Sequence, residues 1–208
     1  MCHYSGVEVR PTYTVKDVLA LANTVHGAAA HHGVRSAPPN SPDHDHLVDP
    51  LDAADFLRSH DVAVPMRSPD AEVLARLRAI REAIQLAVVG RSGHARTGIG
   101  RLLKEAMFEL TVDYQLVPHQ SGWRAVADGL ISVAIELIDR AEQLKHCNNP
   151  QCRFLFMDRS ARQNRRWCDM AVCGNRAKAG RFRRRHRAQP ASGGTRRDGA
   201  KSAASAAL

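Results

Sequence analysis

The sequence predicts a mainly α-helical protein, in which a helical N-terminal domain is followed by a small cysteine-containing module. Three observations lead to this fold class. Over much of the first 144 residues, apolar side chains recur every three or four positions, the spacing of amphipathic helices. Four cysteines near the C-terminus form two equally spaced pairs, Cys147-x4-Cys152 and Cys168-x4-Cys173. Positive charge is concentrated around these cysteines.

The first two predicted helices lie before residue 60. Residues 15–30 carry apolar side chains at helical spacing and predict the first helix. A polar, proline-rich loop follows over residues 33–48. Asp49-Pro50 is typical of a helix start, because Asp accepts hydrogen bonds from free backbone N–H groups and Pro fits the first turn. We therefore expect a second helix that continues through Leu57.

The third predicted helix has the clearest apolar pattern. Ser68-Pro69 is a second start signal of the same kind, and apolar residues then recur at helical spacing from Val73 to Val88. Gly90 follows, and glycine commonly ends helices because it adopts the left-handed conformation at little cost. We expect one long amphipathic helix between these two signals.

Two further helices are predicted before the cysteines. Apolar residues at helical spacing predict a helix over residues 99–110, although Gly98 and Gly100 weaken its start. Residues 111–117 suit a short strand or an extended link. The last long helix covers residues 126–144 and is expected to lead directly into the first cysteine.

The charge distribution divides the chain into three parts. Residues 1–144, the predicted helical domain, have a net charge of −4, whereas residues 145–187 contain 13 basic and two acidic side chains, a net charge of +11. Residues 188–208 are rich in Ala, Ser and Gly and are expected to form a disordered tail. A charge step of this size favours a surface that contacts a polyanion, with a merely solvated basic face as the alternative.

The four cysteines predict a closed metal site. Four thiolates hold one Zn²⁺ in a tetrahedral shell, and such a site stabilises folds too small for a large core. The alternative is a pair of redox-active disulfides. Turn formers at 148–150, a predicted strand over 154–157, a second strand over 165–168 that could pair with it, and a helix after Gly174 together indicate a treble-clef-like arrangement of knuckle, β-hairpin and helix.

The module closely resembles the CGNR zinc-finger family. The similarity rests on Phe156-x-Asp158, Ser160, Arg165-Arg166-Trp167-Cys168 and Cys173-Gly174-Asn175-Arg176-Ala177-Lys178. The preceding residues resemble the helical ABATE domain that accompanies such fingers, whose family name associates it with stress-induced transcription regulation. That similarity rests on Ala22-Asn23-Thr24-Val25, residues 52–57 and residues 77–83.

The resemblance implies a bacterial transcription regulator whose finger binds double-stranded DNA. It assigns one zinc ion to Cys147, Cys152, Cys168 and Cys173. The basic residues expected at the nucleic-acid interface are Arg165, Arg166, Arg176, Lys178, Arg181, Arg183, Arg184, Arg185 and Arg187. Asn175 and Arg176 either contact DNA or only support the finger. The alternative function is an RNA-binding or protein-docking finger attached to a helical domain that senses a small molecule, and a homodimer is compatible with either.

Other functions receive little support from the sequence. Several histidines, including His26, His31, His32, His44 and His46, lie near aspartates and suggest a second metal site, but solvated side chains are the expected outcome. No phosphate-binding loop or nucleophile system is recognisable, so we do not expect an enzyme. No stretch has the length and apolarity of a membrane helix, and we expect a cytoplasmic, nucleoid-associated protein.

Overall fold

The computed structural model describes residues 12–26, 44–150 and 152–188, and it confirms the predicted fold class. The predicted disordered tail lies outside these residues from position 189 onward, as do His31 and His32. The helices are α1 (Val15–Ala22), α2 (Pro50–Ser59), α3 (Ala71–Val88), α4 (Ser92–Glu105), α5 (Gly122–Asp139) and α6 (Asn175–Ala188). The strands are β1 (Val25–His26), β2 (His44–Asp45), β3 (Phe108–Leu110), β4 (Leu116–Pro118), β5 (Leu144–His146) and β6 (Leu155–Met157).

Within the described residues, the strands form three antiparallel pairs beside the helices. β1 pairs with β2, β3 with β4, and β5 with β6. In the last pair, Leu144 lies opposite Met157 and His146 lies opposite Leu155. This pair connects the helical domain to the cysteine module, because β5 follows α5 after one 3₁₀ turn and β6 follows the first two cysteines.

The core lies between α3, α4 and α5, and α1 packs across α3 and α5. Leu77, Ile80, Leu130 and Leu137 are fully buried there, as their helical spacing predicts. A buried ion pair joins two of these helices: Arg76 of α3 donates to Asp128 of α5 over 2.8 Å. Among the described residues, no helix is long and apolar enough to cross a membrane.

The start of α2 matches the prediction, whereas α3 begins later than expected. Asp49 accepts hydrogen bonds from the backbone N–H groups of Leu51 and Asp52, and Pro50 opens α2. The N-cap of α3 is Asp70, whose side chain accepts from the N–H of Val73 over 2.8 Å. The predicted Ser68-Pro69 start was therefore wrong by two residues, because the side chain of Asp70 caps the helix at a later N–H group.

The first predicted helix is too long. α1 ends at Ala22, and the chain enters β1 at Val25 instead of continuing to residue 30. Two buried polar side chains explain the end: the hydroxyl of Thr24 donates to the carbonyl of Leu21, and the amide of Asn23 is hydrogen-bonded to β6. The hydroxyl of Thr24 satisfies one of the last carbonyls of α1, and the contact of Asn23 with β6 holds the chain outside the helix through a partner 132 residues away.

Helix α4 begins and ends earlier than its apolar pattern predicts. It contains Gly98 and Gly100 in its interior and ends at Glu105, so residues 108–110 form β3 and not a helical turn. β3 and β4 form a hairpin in which Phe108 lies opposite Pro118, and residues 111–115 form its turn. The alternative of a short strand within residues 111–117 is thus correct only for its last two residues.

The connection from α5 to the cysteines is not one continuous helix. α5 ends at Asp139, and Leu144 already belongs to β5. The predicted pairing of residues 165–168 with the strand at 154–157 is also wrong, because β6 pairs with β5. Residues 165–168 are held differently: the N–H of Arg165 donates to the Asp158 carboxylate, and the carbonyl of Arg166 accepts from the N–H of Asn148.

Candidate metal centre and nucleic-acid interface

The first two cysteines lie on a tight knuckle between β5 and β6. The N–H of Cys147 donates to the carbonyl of Phe154 over 2.9 Å, and the N–H of Cys152 donates to the carbonyl of Asn149 over 2.9 Å. Arg153, directly after the second cysteine, has a φ of 52°. This left-handed residue turns the chain back, so that both sulfur atoms face the inside of the knuckle.

The second pair is placed by a short turn before α6. Cys173 lies in one turn of π-helix, Met170–Gly174, which runs directly into α6. The side chain of Asp169 accepts a hydrogen bond from the N–H of Val172. The backbone carbonyl of Asp169 accepts from the N–H of Cys173 over 3.0 Å. Cys168 therefore precedes a capped turn that contains Cys173, and α6 starts two residues after Cys173.

The four sulfur atoms have the spacing of a tetrahedral zinc site. All four lie within 4.8 Å of one another, and the sulfurs of Cys152 and Cys168 are 3.6 Å apart. A tetrahedron with zinc–sulfur bonds of about 2.3 Å has edges of about 3.8 Å, whereas a disulfide bond measures about 2.0 Å. All four cysteines are free thiols. The arrangement matches the predicted site for one zinc ion.

The ionisation of the thiols explains why the site needs a cation. A hydrogen bond from Cys152 stabilises the thiolate of Cys168 and lowers the pKa of Cys168 to about 6. The same hydrogen bond, together with burial, raises the pKa of Cys152. Burial raises the pKa of Cys173 to about 11. Without a metal, Cys152 and Cys173 therefore stay protonated at neutral pH, and a bound Zn²⁺ would supply the positive charge that favours their thiolates.

Neighbouring side chains support the cysteines. The amide of Asn149 donates to the sulfur of Cys173 over 3.2 Å, a contact of the kind that stabilises metal-bound thiolates. Phe154 and Trp167 pack against the cysteine cluster and provide apolar cover on one side. Asn175 donates its side-chain amide to the carbonyl of Ala171, so in this structure it supports the turn before α6.

Asp158 is a further structural residue, which sequence reasoning noted only as part of a motif. Its side chain is fully buried and accepts hydrogen bonds from Lys145, Ser160 and the backbone N–H of Arg165. The hydrogen bond from Lys145, followed by that from Ser160, holds the pKa of Asp158 well below its usual range. A carboxylate that is charged at neutral pH thus joins β5, β6 and the segment leading to Cys168.

Comparison with family models agrees with this geometry. Residues 143–186 match the CGNR zinc finger, and residues 18–141 match ABATE, a family described as "Putative stress-induced transcription regulator". The chain belongs to the ABATE family. Its C-terminal module is a CGNR zinc finger, and the family description agrees with a role in transcription regulation. No curated protein matches the chain significantly.

Two arginines of the finger already have contacts within the module. The guanidinium of Arg165 donates to the carbonyls of Trp167 and Cys168, and it lies 5.0 Å above the ring of Phe156. Arg166 lies over the ring of Trp167 at 5.6 Å and is exposed. Arg165 therefore orients the backbone of a zinc ligand, whereas Arg166 is an exposed side chain that lies over Trp167.

The other predicted interface residues lie together on α6. Its basic residues are Arg176, Lys178, Arg181, Arg183, Arg184, Arg185 and Arg187, and the helix contains no acidic residue. All seven are exposed, and within the described part of the chain none forms an ion pair. We call this 14-residue segment, Asn175–Ala188, the basic helix.

The ABATE domain and the finger share one core. Leu144, Leu155 and Met157 are buried in the main hydrophobic cluster with residues of α1, α3 and α5. Asn23 adds a polar contact: its amide donates to the carbonyl of Leu155 over 2.9 Å and its oxygen accepts from the N–H of Leu155 over 2.6 Å. The finger thus packs on the helical domain through β5 and β6 and is hydrogen-bonded to the residue after α1.

Proposed function

We propose that this protein is a stress-responsive transcriptional regulator that binds double-stranded DNA through its CGNR finger. One observation carries the proposal: the basic helix presents seven exposed positive charges without counter-charges among the described residues. It packs against the turn at Met170–Gly174, and residues 181–187 are all exposed. Within this proposal the protein has no catalytic activity.

The charge density of the basic helix supports a polyanionic partner. Arg181 lies three and four positions before Arg184 and Arg185, and Arg183 lies four positions before Arg187. Like charges at these spacings repel each other and destabilise an isolated helix. Phosphate groups would relieve this repulsion, and the release of their counterions would contribute to the free energy of binding.

The shape of the basic helix suits the major groove. Fourteen residues span about 21 Å, and an α-helix fits the width of the groove in B-form DNA. With about 100° per residue, Arg176, Arg183 and Arg187 share one face, and Lys178, Arg181 and Arg185 share another. Because the two faces point in different directions, both cannot reach base edges together. We infer that only part of the basic helix contacts bases and that the remaining arginines contact phosphates.

The position of the zinc favours Arg176 for base recognition. Arg176 lies three residues after the last zinc ligand, where the metal fixes the start of the helix, and bidentate contact with guanine requires such a fixed guanidinium. Residues 181–187 lie further from the metal and suit phosphate contacts. Arg165 is left out of the proposed DNA contacts because its donors are directed at the backbone of the finger.

A salt titration of binding tests this proposal. The affinity of the full-length protein for a short duplex should fall steeply with salt, with a slope in log–log form of about −0.9 per neutralised phosphate. Replacing Arg183 and Arg187 by Gln should reduce the magnitude of the slope by about 2. The matched control replaces Arg91 and Arg101, two exposed arginines of the ABATE domain, and should leave the slope unchanged.

Three outcomes would contradict the proposal. The first is that the full-length protein does not bind duplex DNA. The second is that the control variant loses as much affinity as the variant of the basic helix. The third is that structured RNA binds more tightly than duplex DNA of equal length. The last result would favour the RNA-binding alternative. The small-molecule effector and the homodimer stay predictions from the sequence.

A further inference from the structure

Outside the finger, two histidines and one carboxylate come together in the ABATE domain. Nε2 of His44 lies 2.7 Å from Oδ2 of Asp52, and Nδ1 of His46 lies 2.8 Å from Oδ1 of the same carboxylate. The three potential ligand atoms all lie within 4.8 Å of one another. The sequence predicted solvated histidines in this region, and Asp52 was not among the aspartates considered. The side chain of His44 is exposed, as expected, whereas that of His46 is largely covered.

The local fold places these side chains on one surface. His44 and His46 are two residues apart on the extended chain around β2, so their side chains point to the same side. The intervening Asp45 points to the opposite side and accepts two hydrogen bonds from the guanidinium of Arg81, over 2.6 and 2.9 Å. Asp52 lies in the first turn of α2, whose start is fixed by the Asp49 cap.

The rings are also held in position. The ring of His46 stacks on Phe56, with ring centroids 4.2 Å apart. The ring of His44 lies edge-on to the ring of His46, with centroids 4.4 Å apart. Only 16% of the His46 side chain is exposed, compared with 61% for His44. The cluster therefore has a fixed inner ligand and an outer side open to solvent, where water or another ligand would complete a coordination shell.

The donor set selects the class of ion. Two imidazole nitrogens and one carboxylate oxygen suit borderline divalent cations such as Zn²⁺, Co²⁺ and Ni²⁺, whereas Mg²⁺ and Ca²⁺ prefer sites made only of oxygen. Without a metal, the carboxylate hydrogen-bonds to both rings, which keeps the three donors close together. A cation would bind between them after displacing the shared protons.

We propose that His44, His46 and Asp52 form a second metal site, which binds a borderline divalent cation with three protein ligands and solvent. This site differs from the finger in its ligands and in its location. It joins β2 to α2, so a bound ion would fix these two elements to each other. It is independent of whether the finger binds DNA.

Cobalt titration of the full-length protein with zinc in the finger tests the proposal. Co²⁺ bound to nitrogen and oxygen gives weak visible absorption, whereas Co²⁺ bound to four thiolates adds intense sulfur-to-metal bands. We expect one equivalent of Co²⁺ to bind without the sulfur bands. Mutating a residue that only supports a metal ligand typically weakens metal binding about 10–100-fold. His44→Ala and Asp52→Asn remove ligands and should therefore weaken Co²⁺ binding by more than about 100-fold.

A matched control uses another histidine–carboxylate pair. His119 and Glu109 lie 3.2 Å apart on the surface, and no third ligand joins them in the described part of the chain. His119→Ala should leave the Co²⁺ affinity unchanged. Because His44 is exposed, its replacement should preserve the helical circular dichroism and separate metal loss from unfolding.

Two results would overturn the proposal. One is the absence of a Co²⁺ equivalent beyond the metal of the finger. The other is Co²⁺ binding that persists at the same affinity in both His44→Ala and Asp52→Asn. Paramagnetic broadening of amide resonances gives the location independently: residues around His46 should broaden, and those of α6 should not.

Discussion

Replacing Asn23 by Ala tests how strongly the finger depends on the ABATE domain. Asn23 is buried, and its side chain forms two hydrogen bonds with the backbone of Leu155 in β6. The change removes both partners at once. The N–H and the carbonyl of Leu155 then remain in an interior position without their hydrogen bonds.

The structure sets the size of the effect. A buried polar group without its partner costs about 1–3 kcal/mol. Two such groups, with some access for water after the side chain is shortened, give a loss of about 2–4 kcal/mol. With a urea dependence of about 2–3 kcal/mol per molar, the midpoint of finger unfolding should fall by about 1 M.

Two signals monitor the two parts of the protein separately. In protein with Co²⁺ in the finger, the sulfur-to-cobalt absorption persists only while the four thiolates surround the metal, and far-ultraviolet circular dichroism follows the helices. In the original protein we expect both signals to change in one urea transition, because both parts share a core. In Asn23→Ala the cobalt signal should disappear first.

An exposed asparagine of the finger provides the control. Asn164→Ala removes the same kind of side chain from an exposed position. It should change the free energy of unfolding by no more than about 0.5 kcal/mol. If Asn23→Ala loses its cobalt and helical signals at the original midpoint, the reasoning that this contact docks the finger is refuted.

Three further predictions concern the zinc, an ion pair and the basic helix. Cys168→Ser should abolish the zinc–sulfur distances near 2.3 Å in X-ray absorption while most of the helical signal persists. Asp45→Asn should destabilise the ABATE domain at pH 7 by about 1–3 kcal/mol, measured by urea unfolding. Burial acts to raise the pKa of Asp45, but the hydrogen bonds from Arg81 and from the N–H of Leu47, together with the positive charges of Arg81 and Arg78, lower this pKa. The stability from the charged carboxylate is therefore fully present above its unfolded pKa of about 3.9, and the difference should shrink as the pH falls below that value and through the lower folded pKa. Finally, duplex DNA should increase helical circular dichroism, because phosphates relieve the repulsion within α6; an unchanged spectrum would contradict this.

Features that depend on neighbouring residues were predictable from the sequence. The start of α2 needed only Asp49 and Pro50, whose chemistry fits a helix N-terminus regardless of the rest of the chain. The zinc ligands were predictable because each pair is separated by four residues, close enough for one loop to direct both sulfurs inward. The clustering of basic residues on α6 was visible for the same reason.

Features that depend on distant partners were not predictable. α1 ends at Ala22 because Asn23 contacts a strand 132 residues later, and no local pattern announces that contact. β6 pairs with β5 because of how α5 ends, whereas the sequence offered residues 165–168 as an equally suitable partner. Asp52 was overlooked because it lies on a helix, and only the path of the chain between β2 and α2 brings it to the histidines.

The burial of Leu155 and Met157 under the helices limits how this finger can be engineered. A chimera that keeps the ABATE domain and receives a foreign finger after residue 144 would lose two core side chains and the partner of Asn23. A successful exchange must retain β5 and β6 of the recipient and replace only the parts beyond them. The DNA specificity proposed above can then be altered by exchanging exposed residues of α6 alone, because residues 181–187 make no contribution to the core.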